Sequence, residues 1–146
     1  MVRTILASPD VANLNVILVT SRPHFVYLLA ALRAVVNKNT SLDTIFFPYD
    51  RLFASGLASL KIGTITSVEV NEKKDGGSVV LNDGEKIAYD ALVLASGSNW
   101  EGPIAFPQEE QAYKDHVQKW RDNFQEAKDI VIAGGGAVGI GMRCGK

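Results

Sequence analysis

Cys144 is the only cysteine among 146 residues. One thiol excludes an internal disulfide, a C-x-x-C redox pair and a zinc site built on cysteines, and it makes a reducing compartment the expected setting. Histidine is nearly as scarce, with two residues, His24 and His116. Neither falls in a Ser-His-Asp arrangement, a metal cluster or a paired-carboxylate site. No apolar run approaches the ~18 residues of a membrane-spanning helix. The N-terminus lacks the charged-then-apolar pattern of a signal peptide, and Val2 breaks the N-myristoylation pattern. Charge of one sign is missing too: the net charge is −1 with no basic block, so nothing favours nucleic acid or an anionic membrane as a partner. There are no internal repeats and no low-complexity segments. What remains is ordinary globular composition, 47% hydrophobic and 21% charged, in a chain long enough to bury a core. A cytoplasmic location is the expectation.

The most informative stretch is Asp129 to Gly139, DIVIAGGGAVG. Ile130, Val131 and Ile132 form a short apolar run of the kind that makes a buried parallel strand. It feeds Gly134, Gly136 and Gly139, spaced as the dinucleotide fingerprint G-x-G-x-x-G. In that motif the first glycine permits a tight turn, the second lets the backbone approach a pyrophosphate, and the third allows close helix–strand packing. The pyrophosphate lies on the free N–H groups of the following helix, at the positive end of its dipole. A glycine-rich loop that merely ends a strand is the plainer alternative. A complete βαβ unit takes ~30 residues, and the acid that holds the ribose falls about 20 positions on. Only seven residues, Ile140 to Lys146, follow Gly139.

Earlier in the chain, Val2 to Ala7 reads as the end of a helix broken by Pro9, and Asn15 to Thr20 as a β-branched strand stopped by Pro23. Leu28 to Val36 is an apolar helix-length run with Arg33 embedded in it, and a snorkelling surface role is the default for that arginine. Asn37 to Ser41 is a polar loop, Ile45 to Phe47 an apolar run before Pro48, and Asp50 to Leu57 a short helix. Ile62–Asn71, Ser78–Leu81 and Ile87–Ala95, separated by the turns Lys74–Gly77 and Asn82–Gly84, predict an antiparallel three-stranded meander. Its last strand runs into Ala95, Ser96, Gly97 and Ser98, small residues that admit a ligand close to the backbone. Glu109 to Ala127 is a helix whose Tyr113, Val117, Trp120 and Phe124 share one face, with His116 beside that stripe as a solvent-facing or capping residue.

Taken in order, HF…AALRAVV (His24 to Val36), PYDRLF (Pro48 to Phe53), GTITSV (Gly63 to Val68), YDALVLASGS (Tyr89 to Ser98) and KDIVIAGGGAVG (Lys128 to Gly139) resemble the apoptosis-inducing-factor-like, ferroptosis-suppressor-type flavoproteins, especially fungal members. These belong to the pyridine nucleotide-disulfide oxidoreductase superfamily. The resemblance implies an α/β fold: a partial FAD/NAD(P)-binding Rossmann-like domain with the three-stranded meander inserted. It divides the chain into residues 1–127, a partial FAD-binding domain without its first βα unit, and 128–146, the start of an NAD(P)H-binding unit. It implies an FAD-dependent NAD(P)H oxidoreductase that passes electrons through flavin to a quinone or other small-molecule acceptor. Peripheral association with mitochondria or membranes occurs in the family. Residue by residue, Arg33 matches the arginine that contacts FAD, and Ile65 the aliphatic position whose backbone meets the adenine. Ala95, Ser96 and Gly97 match an Ala-Thr-Gly turn near the flavin, with serine for threonine. Gly134, Gly136 and Gly139 match the NAD(P)H fingerprint.

The departures are equally specific. The family's first strand and its own FAD-binding G-x-G-x-x-G are expected before Met1. The acid that ends the second strand is here Thr20, and Ile140 to Lys146 lacks the usual Glu-bearing helix. The alternative is therefore a non-catalytic interaction fragment without bound cofactor. In a doubly wound sheet the first strand is central. Ile130 to Ala133 resembles it, and one expectation is that this run fills the slot by pairing parallel with Val16–Val19. Low stability is expected whether or not it does so.

Overall fold

A computed structural model describes residues 14–49 and 58–143. The expected helix end over 2–7, the short helix over 50–57 and Cys144 lie outside the described residues. The chain folds as two compact units, Met1–Pro23 with Tyr49–Gly97, and His24–Pro48 with Ser98–Lys146.

In the first unit, β1 (Val16–Thr20) pairs in parallel with β4 (Ala58–Ile62), from Val16 opposite Ala58 to Thr20 opposite Ile62. Parallel neighbours require a long crossover, and here the chain runs through a helix, α1 (Leu28–Val36), before it returns as β4. β1 is the strand expected at Asn15–Thr20. β4 was not among the expected strands, although ASLKI alternates apolar and polar residues as a half-buried strand does. The strand expected over Ile62–Asn71 is in fact the end of β4 and a separate strand, β5 (Ile65–Val70). Between them Gly63 N–H donates to the Thr20 carbonyl at 2.9 Å.

β5, β6 (Gly77–Leu81) and β7 (Lys86–Tyr89) form the expected antiparallel meander, in the order β5-β6-β7 with an irregularity between Ile65 and Ser67. Its turns are made by local chemistry. Lys74 sits at φ +59 while Asn71 and Asp75 bond each other twice, and Gly84 sits at φ +87 beside Asp83, whose carboxylate accepts from Glu85 N–H. Val68, Val79 and Ile87 lie opposite one another, with Val79 buried. Lys86 donates to Glu69, as does Ser78, and these bonds hold the Glu69 carboxyl below its usual pKa. The third strand ends at Tyr89, not Ala95. Residues 92–97 take no regular structure, because an apolar run becomes a strand only where a neighbour supplies the ladder.

In the second unit, β2 (His24–Val26) and β3 (Phe46–Pro48) pair antiparallel, and α1 follows β2 directly. Helix α2 (Glu110–Glu126) packs on α1 because α1 turns small residues toward its neighbours. Ala31, Ala34 and Val35 are fully buried, with Ile45, Phe106 and Val117. Phe46 stacks on buried Tyr113 at 4.7 Å between ring centroids, and the Tyr113 hydroxyl donates to the Gln108 carbonyl at 2.7 Å. His116 is neither solvent-facing nor a cap of its helix. Its Nε2 lies 3.0 Å from the Pro103 carbonyl, and the ring packs between Phe106 and Trp120. The helix predicts a polar outer face, yet Arg121 is buried. Its Nε donates to the Ala34 carbonyl and its terminal nitrogen to the Thr40 carbonyl, both at 2.7 Å. A short last helix, α3 (Ala137–Arg143), lies against α1, where a Cβ on Gly141 would stand 2.9 Å from Leu32 Cδ1.

Candidate nucleotide-binding loop

Each fingerprint glycine occupies a position that its place in the motif calls for. Gly134 takes φ +105, a conformation closed to most side chains. A Cβ on Gly136 would meet nothing within 4 Å, which leaves that stretch of backbone open to a ligand. A Cβ on Gly139 would stand 2.4 Å from the Gly134 carbonyl and 3.2 Å from Ile132 Cγ2, so only glycine lets α3 approach the segment before it. The Ile140 N–H donates to the Gly136 carbonyl at 3.0 Å and starts the helical ladder there.

The strand that should present this loop is absent. Ile130–Ala133 belongs to none of the three sheets, and β1 pairs with β4, so the run does not fill a slot beside Val16–Val19. Strand propensity is a local property, but a ladder needs a neighbour, and Val131 remains 92% exposed. The run instead borders an apolar cavity of about 570 Å3, whose other walls include Val36, Phe124, Val138 and Met142.

The residues matched to FAD contacts fall in both units. Ile65 opens β5 with its side chain partly exposed, and Ala95, Ser96 and Gly97 lie in an exposed irregular stretch in which Gly97 sits at φ +73. Arg33 lies in the last turn of α1 with its side chain exposed, while Ala31, Leu32, Ala34 and Val35 on either side are buried. Thr20 ends β1, and its hydroxyl accepts from Arg22 N–H at 3.3 Å, so it is engaged in its own turn. Arg121 went unnoticed in the sequence although a signal was present. It lies four residues after Val117 and three before Phe124, on the apolar stripe, where a charged residue asks for a partner.

A parallel strand pair joined through a helix, an antiparallel meander, and a G-x-G-x-x-G loop opening a helix define a nucleotide-binding α/β chain of Rossmann type. Residues 4–143 match the family described as pyridine nucleotide-disulphide oxidoreductase, and the chain belongs to that family. It is 43% identical to an FAD-dependent oxidoreductase of Flammulina velutipes over 98 residues, covering 67% of this chain and 30% of that protein. It is 31% identical over 130 residues to apoptosis-inducing factor homolog B of Dictyostelium discoideum, covering 87% of this chain and 31% of that protein. With ferroptosis suppressor protein 1 of Taeniopygia guttata it shares 32% identity over 132 residues, covering 86% of this chain and 32% of that protein. The motif order read from the sequence thus led to the right family. The chain spans about a third of the length of these relatives.

Gly139→Ala follows from this geometry as a test of the loop. The added methyl group meets a backbone oxygen, which cannot swing aside as a side chain would. The variant is expected to lower the free energy of unfolding by about 1–3 kcal/mol, the cost of an overpacked contact. Urea denaturation of the 146-residue chain checks it, and an unchanged midpoint would mean that α3 shifts freely away from the segment before it.

Proposed function

We propose that this chain forms part of an FAD-dependent NAD(P)H oxidoreductase, in which a nicotinamide cofactor reduces flavin and the electrons pass to a quinone or another small-molecule acceptor. The observation that supports it most is the glycine loop: a positive φ at Gly134, open backbone at Gly136, and a contact at Gly139 that tolerates no side chain. Gly134, Gly136 and Gly139 are the residues that would hold NAD(P)H. Arg33, Ile65, Ala95, Ser96 and Gly97 are those that would touch FAD. When bound, the flavin supplies the hydride-accepting chemistry. This chain's contribution is to bind and orient: backbone N–H groups for phosphate oxygens, the Arg33 guanidinium for an anionic or carbonyl group, and small residues at 95–97 for close approach. In this reading residues 1–127 belong to the FAD-binding domain and 128–146 open the NAD(P)H-binding unit. No helix among the described residues is long and apolar enough to cross a membrane, and a cytoplasmic protein with peripheral membrane or mitochondrial association fits the reading.

In a chimera where this chain replaces the matching region of the FAD-dependent oxidoreductase of Flammulina velutipes, NADH is expected to bleach the visible absorbance of bound flavin. Arg33→Ala is expected to weaken FAD retention by roughly 1.5–3 kcal/mol, the worth of a charged hydrogen bond, while Arg3→Ala leaves it unchanged. Equal retention in the two variants would return Arg33 to a surface role. A second reading is favoured by one observation, the exposure of Val131. With the strand before the glycine loop outside any sheet, the 146-residue chain by itself is an interaction fragment that holds no cofactor. The chain alone is then expected to purify colourless, and stoichiometric bound FAD would decide against this second reading.

A further inference from the structure

We propose that Arg121 is a positioning residue for the flavin: it fixes the last turn of α1, and through that turn the point from which Arg33 reaches. This role rests on the reading of Arg33 as an FAD contact. It starts from how α1 ends. The chain leaves the helix at Asn37 in an extended conformation, φ −110 and ψ 117, and Lys38, Asn39 and Thr40 follow with no glycine among them. A left-handed residue just past the helix commonly gives its final carbonyls a partner, and none of residues 37–40 has a positive φ. The last four carbonyls of a helix have no donor within it. Here the Arg33 carbonyl accepts from Asn37 N–H at 2.8 Å, and the Ala34 carbonyl accepts from Arg121 Nε at 2.7 Å.

The same guanidinium donates to the Thr40 carbonyl at 2.7 Å, so it grips the chain on both sides of the turn that Thr40 N–H closes on the Asn37 carbonyl. Arg33 is placed to depend on that grip. With nine residues, α1 falls short of the ~12–15 that an isolated helix needs, so contacts from other elements must hold its last turn. Arg33 is the basic residue of that turn, and its neighbours Leu32 and Ala34 are buried. A shift of the Ala34 carbonyl therefore carries the Arg33 backbone with it. A contact group held in place before its ligand arrives binds at a lower ordering cost, and a donor from α2 supplies that order here.

The test is a double-mutant cycle on FAD affinity in the chimera with the Flammulina velutipes oxidoreductase. Arg33→Ala is expected to raise the FAD dissociation constant about ten-fold or more, and Arg121→Lys roughly three- to ten-fold. The double variant is expected to bind no more weakly than Arg33→Ala alone, because Arg121 acts only through Arg33. Val117→Ala, which loosens the same packing of α2 on α1 but leaves both carbonyls bonded, is expected to keep the parental affinity. No loss in Arg121→Lys, additive losses in the cycle, or an equal loss in Val117→Ala would each overturn the positioning role and leave Arg33 standing as a flavin contact. Arg33→Ala without effect would instead overturn the reading of Arg33, and the proposal with it. A further measurement needs no variant. Relative to the Val117 N–H in α2, the Asn37 N–H is expected to exchange as slowly in the flavin-free chimera as in the flavin-bound one, since Arg121 orders the turn beforehand. Faster relative exchange without flavin would show that the cofactor orders the turn and would overturn the proposal.

Discussion

Arg121→Met is expected to lower the free energy of unfolding by about 3 kcal/mol or more, the larger part of a modest domain's stability. Arg121 is only 9% exposed, and its guanidinium makes two hydrogen bonds of 2.7 Å to backbone carbonyls. One of these, from Ala34, is among the last carbonyls of α1, which have no partner within the helix, and a cation at that end also complements the helix dipole. The other, from Thr40, fixes the loop that carries the chain from α1 to the buried Ile45. Desolvation lowers the pKa of Arg121, yet a guanidinium remains protonated, so the bonds stay charge-assisted. Methionine replaces the apolar stem and leaves both carbonyls unmatched. Arg121→Lys keeps the charge but cannot span both acceptors, and is expected to recover less than half of the loss. The urea midpoint followed by tryptophan fluorescence measures both, and a loss below ~1 kcal/mol for the methionine variant would make the clamp incidental.

Gly77→Val is the second large effect, expected at about 3 kcal/mol from overpacking. A Cβ at Gly77 would stand 2.0 Å from the Glu69 carbonyl oxygen and 2.7 Å from the Tyr89 hydroxyl. The first of these is backbone in the facing strand, so β5 and β6 must separate at the Val70–Gly77 pair for the variant to fold. Tyr89 then loses its bond to the Glu69 carbonyl. Hydrogen exchange at Val79 and Leu81, the buried centre of the meander, is expected to accelerate with the loss of stability. Unchanged protection there would mean that the ladder adjusts locally around the new side chain.

Much of the candidate site was legible because its signals are local. The glycine at 134 answers to a backbone angle, the one at 139 to a contact five residues away, and spacing alone shows both. Helices α1 and α2 were legible for the same reason, since their apolar residues repeat within a few turns. Strands were harder. Ala58–Ile62 becomes a strand through pairing with Val16–Thr20, some forty residues earlier, and its own signal is only a five-residue alternation without a β-branched run. Val93 and Val131 show the converse error: both sit in runs of high strand propensity, and both remain outside the sheets.

By itself the sequence determined the family, the meander with its turns, the two longer helices and the turn geometry of the glycine loop, since each depends on residues within one element or one motif. Tertiary structure decided which apolar runs became strands, where β7 stopped, and that Arg121 and His116 turn inward to meet carbonyls supplied by other segments. The physical reason is the same throughout. A backbone angle or a helical repeat is settled by near neighbours, whereas a ladder or a buried charge is stable only when a partner distant in sequence satisfies it.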